Sequence, residues 1–169
     1  WAIMARPDLM DEEILRNMKE TGLFSVKYGV ESATQELLDR INKNMDIKKT
    51  EEMIRLTQLL DIKTHLTFTF GLPGETRESI QKTIDFALSL DPLSVQFSIA
   101  TPFPGTTFYK EMEQSGNILS RNWEEYDGNY KSVISYKNLS KAELERALRD
   151  AYRRWACHYT KKMYLEGVR

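Results

Sequence analysis

Residues 65–76 read HLTFTFGLPGET, a run alternating polar and apolar side chains that stops in a Gly-Leu-Pro-Gly turn. Glycine lets a backbone approach a ligand with no side chain in the way, and it accepts positive φ. Gly71 and Gly74 meet that need, while Pro73 between them fixes φ and removes one amide donor. The turn, including Leu72, is expected to be rigid and to present selected N–H and C=O groups, an edge that suits a purine. A tight strand-to-helix connection without a ligand uses the same residues, and turn chemistry alone weighs the two readings equally.

Glu31 follows an alternating segment and is the sole carboxylate expected on the polar side of its strand. It suits a ribose diol or an ammonium group; a salt bridge to Lys27 or Lys43 is the competing reading, and spacing slightly favours it. Lys43 can meet a ligand carboxylate or stand solvated, as lysines generally do. His65 is expected to be a hydrogen-bonded core histidine rather than a catalyst. The single cysteine, Cys157, excludes an internal disulfide and cannot by itself make a thiolate metal site. It is expected to be a buried, inert thiol on a helix. No nucleophile–base pair, metal cluster or phosphate-binding Gly-x4-Gly-Lys-Ser/Thr loop is present at a specific spacing.

These residues need elements to hold them. Asp11 reads as an N-cap before Ile14, Leu15 and Met18, and Gly22 as the stop. Val26, Tyr28 and Val30 alternate as a strand. Leu37, Leu38 and Ile41 mark a short helix, and Met53, Ile54, Thr57 and Leu60 a longer one behind Asp46. After the opening strand, Thr76 caps a helix carrying Ile80, Ile84, Ala87 and Leu88, which Asp91-Pro92 stops. A third strand runs from Leu93 to Ile99 before the turn TPFPGTT.

Strand and helix alternate three times at roughly 30 to 40 residues per unit, which predicts parallel strands joined by right-handed crossovers, in a doubly wound sheet or part of a barrel. Each strand is apolar on one face only. The other faces carry Lys27, Gly29 and Glu31; His65, Thr67, Thr69 and Gly71; and Ser94, Gln96, Ser98 and Ala100. A packed barrel interior calls for bulky branched residues, so a wet cavity is expected there. Farther on, Ser140 to Glu143 form a capping box ahead of a long helix. Its stripe of Leu144, Leu148, Ala151, Tyr152, Trp155, Tyr159 and Met163 is expected to pack against the main body.

The bulk properties set limits. The chain has 169 residues, 41% hydrophobic and 29% charged, and a net charge of -1 from 24 basic and 25 acidic residues. This balance provides no footprint for nucleic acid or an anionic membrane. No apolar run reaches the roughly 18 residues of a membrane span, nor does the start read as a signal peptide, so a cytoplasmic location is expected. The opening residue is Trp1, and we expect a piece of a longer polypeptide.

Taken together, KYGVES, INKNM, FTFGLPGET and ATPFPGTTFYKEM, in this order and at these intervals, resemble the second half of the radical S-adenosylmethionine (SAM) core domain. The similarity covers roughly Trp1 to Gln114. It is nearest to the group in which that core follows a cobalamin-binding domain, which includes the anaerobic Mg-protoporphyrin IX monomethyl ester oxidative cyclase. The resemblance implies an α/β fold: residues 1–115 as the second half of a partial TIM-like (βα) barrel with parallel strands, and 116–169 as a connection and C-terminal helical extension. It also implies S-adenosylmethionine, a 4Fe-4S cluster and possible use of cobalamin in the parent.

By the same resemblance Glu31 and Ser32 would meet the cofactor ribose or amino group, and Lys43 the methionine carboxylate. Thr67, Gly71 and Leu72, with the Pro73-Gly74 turn, would line the adenine and ribose side, and Ile99 and Ala100 would close on the adenine. The Cys-x3-Cys-x2-Cys loop of the family, which holds the cluster through thiolates, is absent from this sequence. The fragment alone is therefore expected to be inactive. Expected partners are the missing N-terminal half of the barrel and a small-molecule substrate, with dimerisation through open strand edges as a further possibility. Oxidative cyclisation or a related cobalamin-linked reaction is the leading reading. A methylthiotransferase acting on transfer RNA and a non-catalytic adenosine-binding or assembly module are the alternatives.

Overall fold

The computed structural model describes residues 1–165 and 167. Strand β1 (Ala2–Ala5) precedes α1 (Glu12–Glu20), which opens where Asp11 accepts the Ile14 N–H and closes at Gly22, φ 92°. Strand β2 (Ser25–Glu31) leads into the short α2 (Gln35–Arg40) and then α3 (Ile47–Leu59), opened by Asp46 accepting the Lys49 N–H. Strand β3 (Lys63–Phe70), α4 (Arg77–Ser89) and β4 (Ser94–Ile99) follow. The last helices are α5 (Thr107–Gln114) and α6 (Lys141–Leu165). The sequence reading did not contain β1, whose four residues AIMA carry almost no alternation.

The four strands form one sheet in the order β1-β2-β3-β4, with β1–β2 and β2–β3 parallel. Simple sequential order with helical crossovers is what repeated βα units produce. The period-two pattern holds: Val26, Tyr28, Val30, Leu66, Phe68 and Phe70 are buried, while Lys27, Glu31, His65, Thr67 and Thr69 between them are only half-buried. A polar, partly accessible face on parallel strands departs from the usual two-sided burial.

The chain divides into two compact units. The first comprises Trp1–Phe68 and Glu78–Gln96, and the second Thr69–Arg77 and Phe97–Arg169. The core of the first includes Leu15, Leu23, Val26, Tyr28, Leu38, Ile54, Leu66 and Ile84, all nearly inaccessible. Tyr28 carries a polar tip into it, and its hydroxyl lies 2.9 Å from Thr57 Oγ1. In the second, Phe70 stacks on Phe97 at 5.6 Å, and Tyr152 of α6 meets Phe97 edge-on at 5.5 Å. Tyr152 also donates to Phe97 O at 2.9 Å, so this member of the aromatic stripe packs as expected. The capping box forms as well, with Ser140 N–H and Oγ donating to Glu143 Oε2 at 2.8 and 2.7 Å.

The expected burial of Cys157 is corrected: its thiol is exposed on α6. Leu144, Leu148 and Ala151 are buried and define the inner face of that helix. Six residues beyond Ala151, at ~100° per residue, the helix has turned about 120° away from that face.

Candidate functional site

In the first unit β2 ends in an irregularity. The β2–β3 register shifts between Gly29 and Glu31, and Glu31 takes φ 68°, a left-handed conformation costly for a residue with a Cβ. This bulge re-aims the Glu31 side chain. Its Oε1 accepts from Lys43 Nζ at 2.9 Å, and both side chains keep about a quarter of their surface accessible, 23% and 24%. The ion pair therefore forms with Lys43, one of the two partners expected; Lys27 instead donates to Gln96 Oε1 at 3.2 Å.

Gly29 lies beneath this pair. A Cβ there would stand 3.1 Å from Glu31 Oε1, 3.4 Å from Lys43 Nζ and 3.8 Å from Thr67 Oγ1. Three residues singled out from the sequence, Glu31, Lys43 and Thr67, thus converge over a glycine that makes room for them. Together they offer a carboxylate, an ammonium and a hydroxyl, a set that suits a ligand carrying its own amine, carboxylate and hydroxyls. Ser32 does not join them. It is fully buried, 3.4 Å from Thr83 Oγ1 and accepting the Thr34 N–H at 3.2 Å. His65 is hydrogen-bonded, Nδ1 to Ser94 Oγ at 2.7 Å. Burial, and then the charge of Lys27, hold its imidazole below the ordinary histidine range.

The second unit contains the glycine turn. Gly71 and Gly74 adopt φ 80° and 82°, the conformation that requires glycine. A Cβ on Gly71 would point at Ile134 and Leu144, 3.4 Å away. Leu72 is buried, Pro73 half-buried and Gly74 exposed. Ile99 is also buried and donates its N–H to Gly128 O at 2.7 Å; the half-buried Ala100 donates to Phe70 O at 2.7 Å.

Glu75 organises this turn and was not singled out by sequence reasoning. Its side chain is 2% exposed. Oε2 accepts the N–H groups of Gly71 and of Leu72, the latter at 3.2 Å, whereas Oε1 is buried with no hydrogen-bond partner among the described residues. Burial pushes the carboxyl up from 4.5 to about 7, against the opposing pull of the two N–H groups. Tyr136 donates to Gly71 O at 2.8 Å, and Asn138 Nδ2 to Glu75 O at 3.1 Å. Burial also pushes the Tyr136 hydroxyl up. A glutamate one residue past a Gly-Pro-Gly-type turn was a signal for this arrangement; nothing local marked Tyr136 and Asn138, more than 60 residues away.

Parallel strands joined by helices in simple sequential order define an α/β domain of the (βα) barrel class. The chain belongs to the radical SAM superfamily, whose family model matches residues 2–87.

Relatives narrow the neighbourhood. An uncharacterized methyltransferase of Pyrococcus horikoshii is 31% identical over 152 residues, covering 90% of this chain and 33% of that protein. An anaerobic magnesium-protoporphyrin IX monomethyl ester cyclase of Cereibacter sphaeroides is 31% identical over 152 residues, 90% of this chain and 24% of that protein. The solved radical SAM methyltransferase TsrM of Kitasatospora setae, with cobalamin and a 4Fe-4S cluster bound, superposes with a TM-score of 0.61 at 26% identity, over 86% of this chain and 30% of that one. The chain thus spans a third or less of the length of these proteins.

Radical SAM enzymes use S-adenosylmethionine and a 4Fe-4S cluster. The donor set over Gly29 fits the polar end of the first. The cluster does not fit this chain: its one cysteine is exposed on α6, and the described residues contain no group of three or more His, Cys, Asp and Glu able to hold a metal.

Proposed function

We infer that this chain is the carboxyl-side half of the barrel in a longer, cytoplasmic, cobalamin-linked radical SAM enzyme, acting by oxidative cyclisation or methyl transfer on a large conjugated molecule such as a tetrapyrrole. The observation that carries the reading is the convergence of Glu31, Lys43 and Thr67 over Gly29 within the residues that match the family. Lys43 binds the methionine carboxylate of the cofactor and Glu31 its amino group or ribose. Thr67 offers a hydroxyl to the ribose. The Gly71-to-Gly74 turn, with Leu72 and Pro73, and the Ile99-Ala100 segment serve the adenine side.

When bound in the parent, the cofactor and cluster supply the radical chemistry; the residues here bind and orient. Orientation is the protein's share in cofactor enzymes generally. An ion pair made within the protein is exchanged for pairs with the ligand's own charges, so the site is charge-balanced in both states.

Equilibrium binding of S-adenosylmethionine to the cluster-loaded full-length protein tests this. Lys43→Met and Glu31→Gln are each expected to weaken binding about tenfold or more, equivalent to ~1.4 kcal/mol, and His65→Ala to leave it unchanged. Unchanged affinity in both of the first two variants, with folding intact, overturns the assignment.

A further inference from the structure

Lys43 belongs to the loop between α2 and α3, yet its Nζ is aimed at Glu31. Its neighbours Asn42 and Asn44 take φ 54° and 47°, left-handed conformations that asparagine accepts more readily than most residues. On the amino side the end of α2 fixes the loop: Asn42 N–H donates to Asp39 O at 3.0 Å and Lys43 N–H to Leu38 O at 2.9 Å. On the carboxyl side Gln35 holds it twice, Nε2 donating to Met45 O at 3.0 Å and Oε1 accepting the Ile47 N–H at 3.1 Å. Between these ties lies the carbonyl of Asn44, the residue that follows Lys43.

That carbonyl is taken by a residue 38 positions earlier: Arg6 Nη2 donates to Asn44 O at 2.9 Å. Arg6 follows β1, whose last residue, Ala5, pairs with Tyr28 of β2, so it emerges beside the strand that ends at Glu31. The guanidinium is itself held, with Nε donating to Asp8 Oδ1 at 3.1 Å and Nη2 to Asp8 Oδ2 at 2.8 Å. Asp8 is buried, 8% exposed. A planar fork meets a carboxylate with two N–H groups and still serves a carbonyl, which an ammonium cannot do in fixed geometry. Asp8 also neutralises Arg6, so the loop is gripped with no added net charge beside Lys43 and Glu31. A buried ion pair gains little stability over an apolar pair of the same size, so the hold on the loop is the better account of why these two residues are charged.

We propose that Arg6, fixed by Asp8, is a positioning residue for cofactor binding: it sets the loop so that Lys43 meets the methionine carboxylate of S-adenosylmethionine. The inference rests on the reading of Lys43 as the partner of that carboxylate. Arg6 acts through Lys43, without contact to the ligand. Its contribution therefore falls on the amino-acid end of the cofactor and not on the adenosine.

The test is equilibrium binding to the cluster-loaded full-length protein with two ligands: S-adenosylmethionine, and methylthioadenosine, which keeps the adenosine but has neither amine nor carboxylate. Arg6→Met is expected to weaken binding of the first about fivefold, the scale of one lost hydrogen bond, and to leave the second unchanged. Arg6→Lys should fall between Arg6→Met and wild type. In the Lys43→Met background Arg6→Met is expected to add nothing, because the two residues act on the ligand as one. Arg6→Met leaves the buried Asp8 unpaired, which burdens the fold; Arg6→Met with Asp8→Leu removes both charges and should give the same binding pattern. Equal losses for the two ligands, an additive loss in the Lys43→Met background, or unchanged affinity in the folded Arg6 variants overturns the proposal. So does failure of the double variant to fold, which would make the pair a support of the fold rather than of the loop. Unchanged S-adenosylmethionine affinity in Lys43→Met rejects the reading of Lys43, and the role of Arg6 with it. A loss in Lys43→Met with none in Arg6→Met rejects the positioning role alone.

Discussion

Glu31 Oε1 receives Lys43 Nζ at 2.9 Å while the Glu31 backbone sits at φ 68°. A glutamate in the left-handed region costs of order 1 kcal/mol, and a part-exposed ion pair returns roughly the same at most. The pair therefore makes no net stability case for the bulge. Lys43→Met is expected to change the unfolding free energy by less than about 1 kcal/mol, a smaller effect than the one expected on cofactor binding. Urea denaturation of the variant checks this; a loss of several kcal/mol would make the pair structural.

Gly29 is expected to be intolerant of even a methyl group in function and tolerant in fold. Gly29→Ala places a Cβ 3.1 Å from Glu31 Oε1 and 3.4 Å from Lys43 Nζ, which pushes two mobile side-chain ends apart and leaves the strand intact. The expected outcome is a melting temperature within a few degrees of wild type, about 1 kcal/mol or less, together with a clear fall in affinity for S-adenosylmethionine in the full-length protein. Calorimetry and titration on the same variant separate the two effects.

Glu75 gives the protein a pH dependence of definite sign. Its carboxyl is raised from 4.5 to about 7 in the folded chain, so the folded state holds the proton more tightly than the unfolded state. Its contribution to stability is complete below pH 4.5 and declines as pH rises from 4.5 to about 7. The full loss is up to about 3 kcal/mol at 1.36 kcal/mol per unit. His65, held low by burial, works in the opposite direction around its own range. The difference between wild type and Glu75→Gln isolates the first term. Chemical denaturation at pH 5 and pH 8 should show wild type losing more stability than the variant between those values; parallel profiles would refute the assignment.

Tyr136→Phe removes one hydroxyl and leaves the ring. Gly71 O then loses its 2.8 Å donor, with an expected cost of about 1 to 2 kcal/mol for a half-buried carbonyl. Urea midpoints measure it, and amide exchange at Leu72, the residue following Gly71 in the turn, should accelerate. A variant as stable and as protected as wild type would mean that Glu75 alone holds the turn.

Much of this protein was legible in one dimension. Asp11 and Asp46 start their helices and Gly22 ends one because capping is a matter of two or three neighbouring residues. The alternation along β2 and β3 reports their two faces because strand side chains repeat every two residues, and family membership followed from the order of short motifs along the chain. Glu31, Lys43 and Thr67 were legible as candidates; their convergence on Gly29 was not, because it depends on a register shift between β2 and β3. Strand β1 carried too few residues to show a period. Cys157 was misplaced because a helix has an inner and an outer face, and the partners packed against it decide which is which. The grip of Tyr136 and Asn138 on the Gly71 turn, and the orphaned oxygen of Glu75, belong wholly to the tertiary structure. Burial and hydrogen bonding between residues distant in the chain are properties of the folded packing, and no local pattern encodes them.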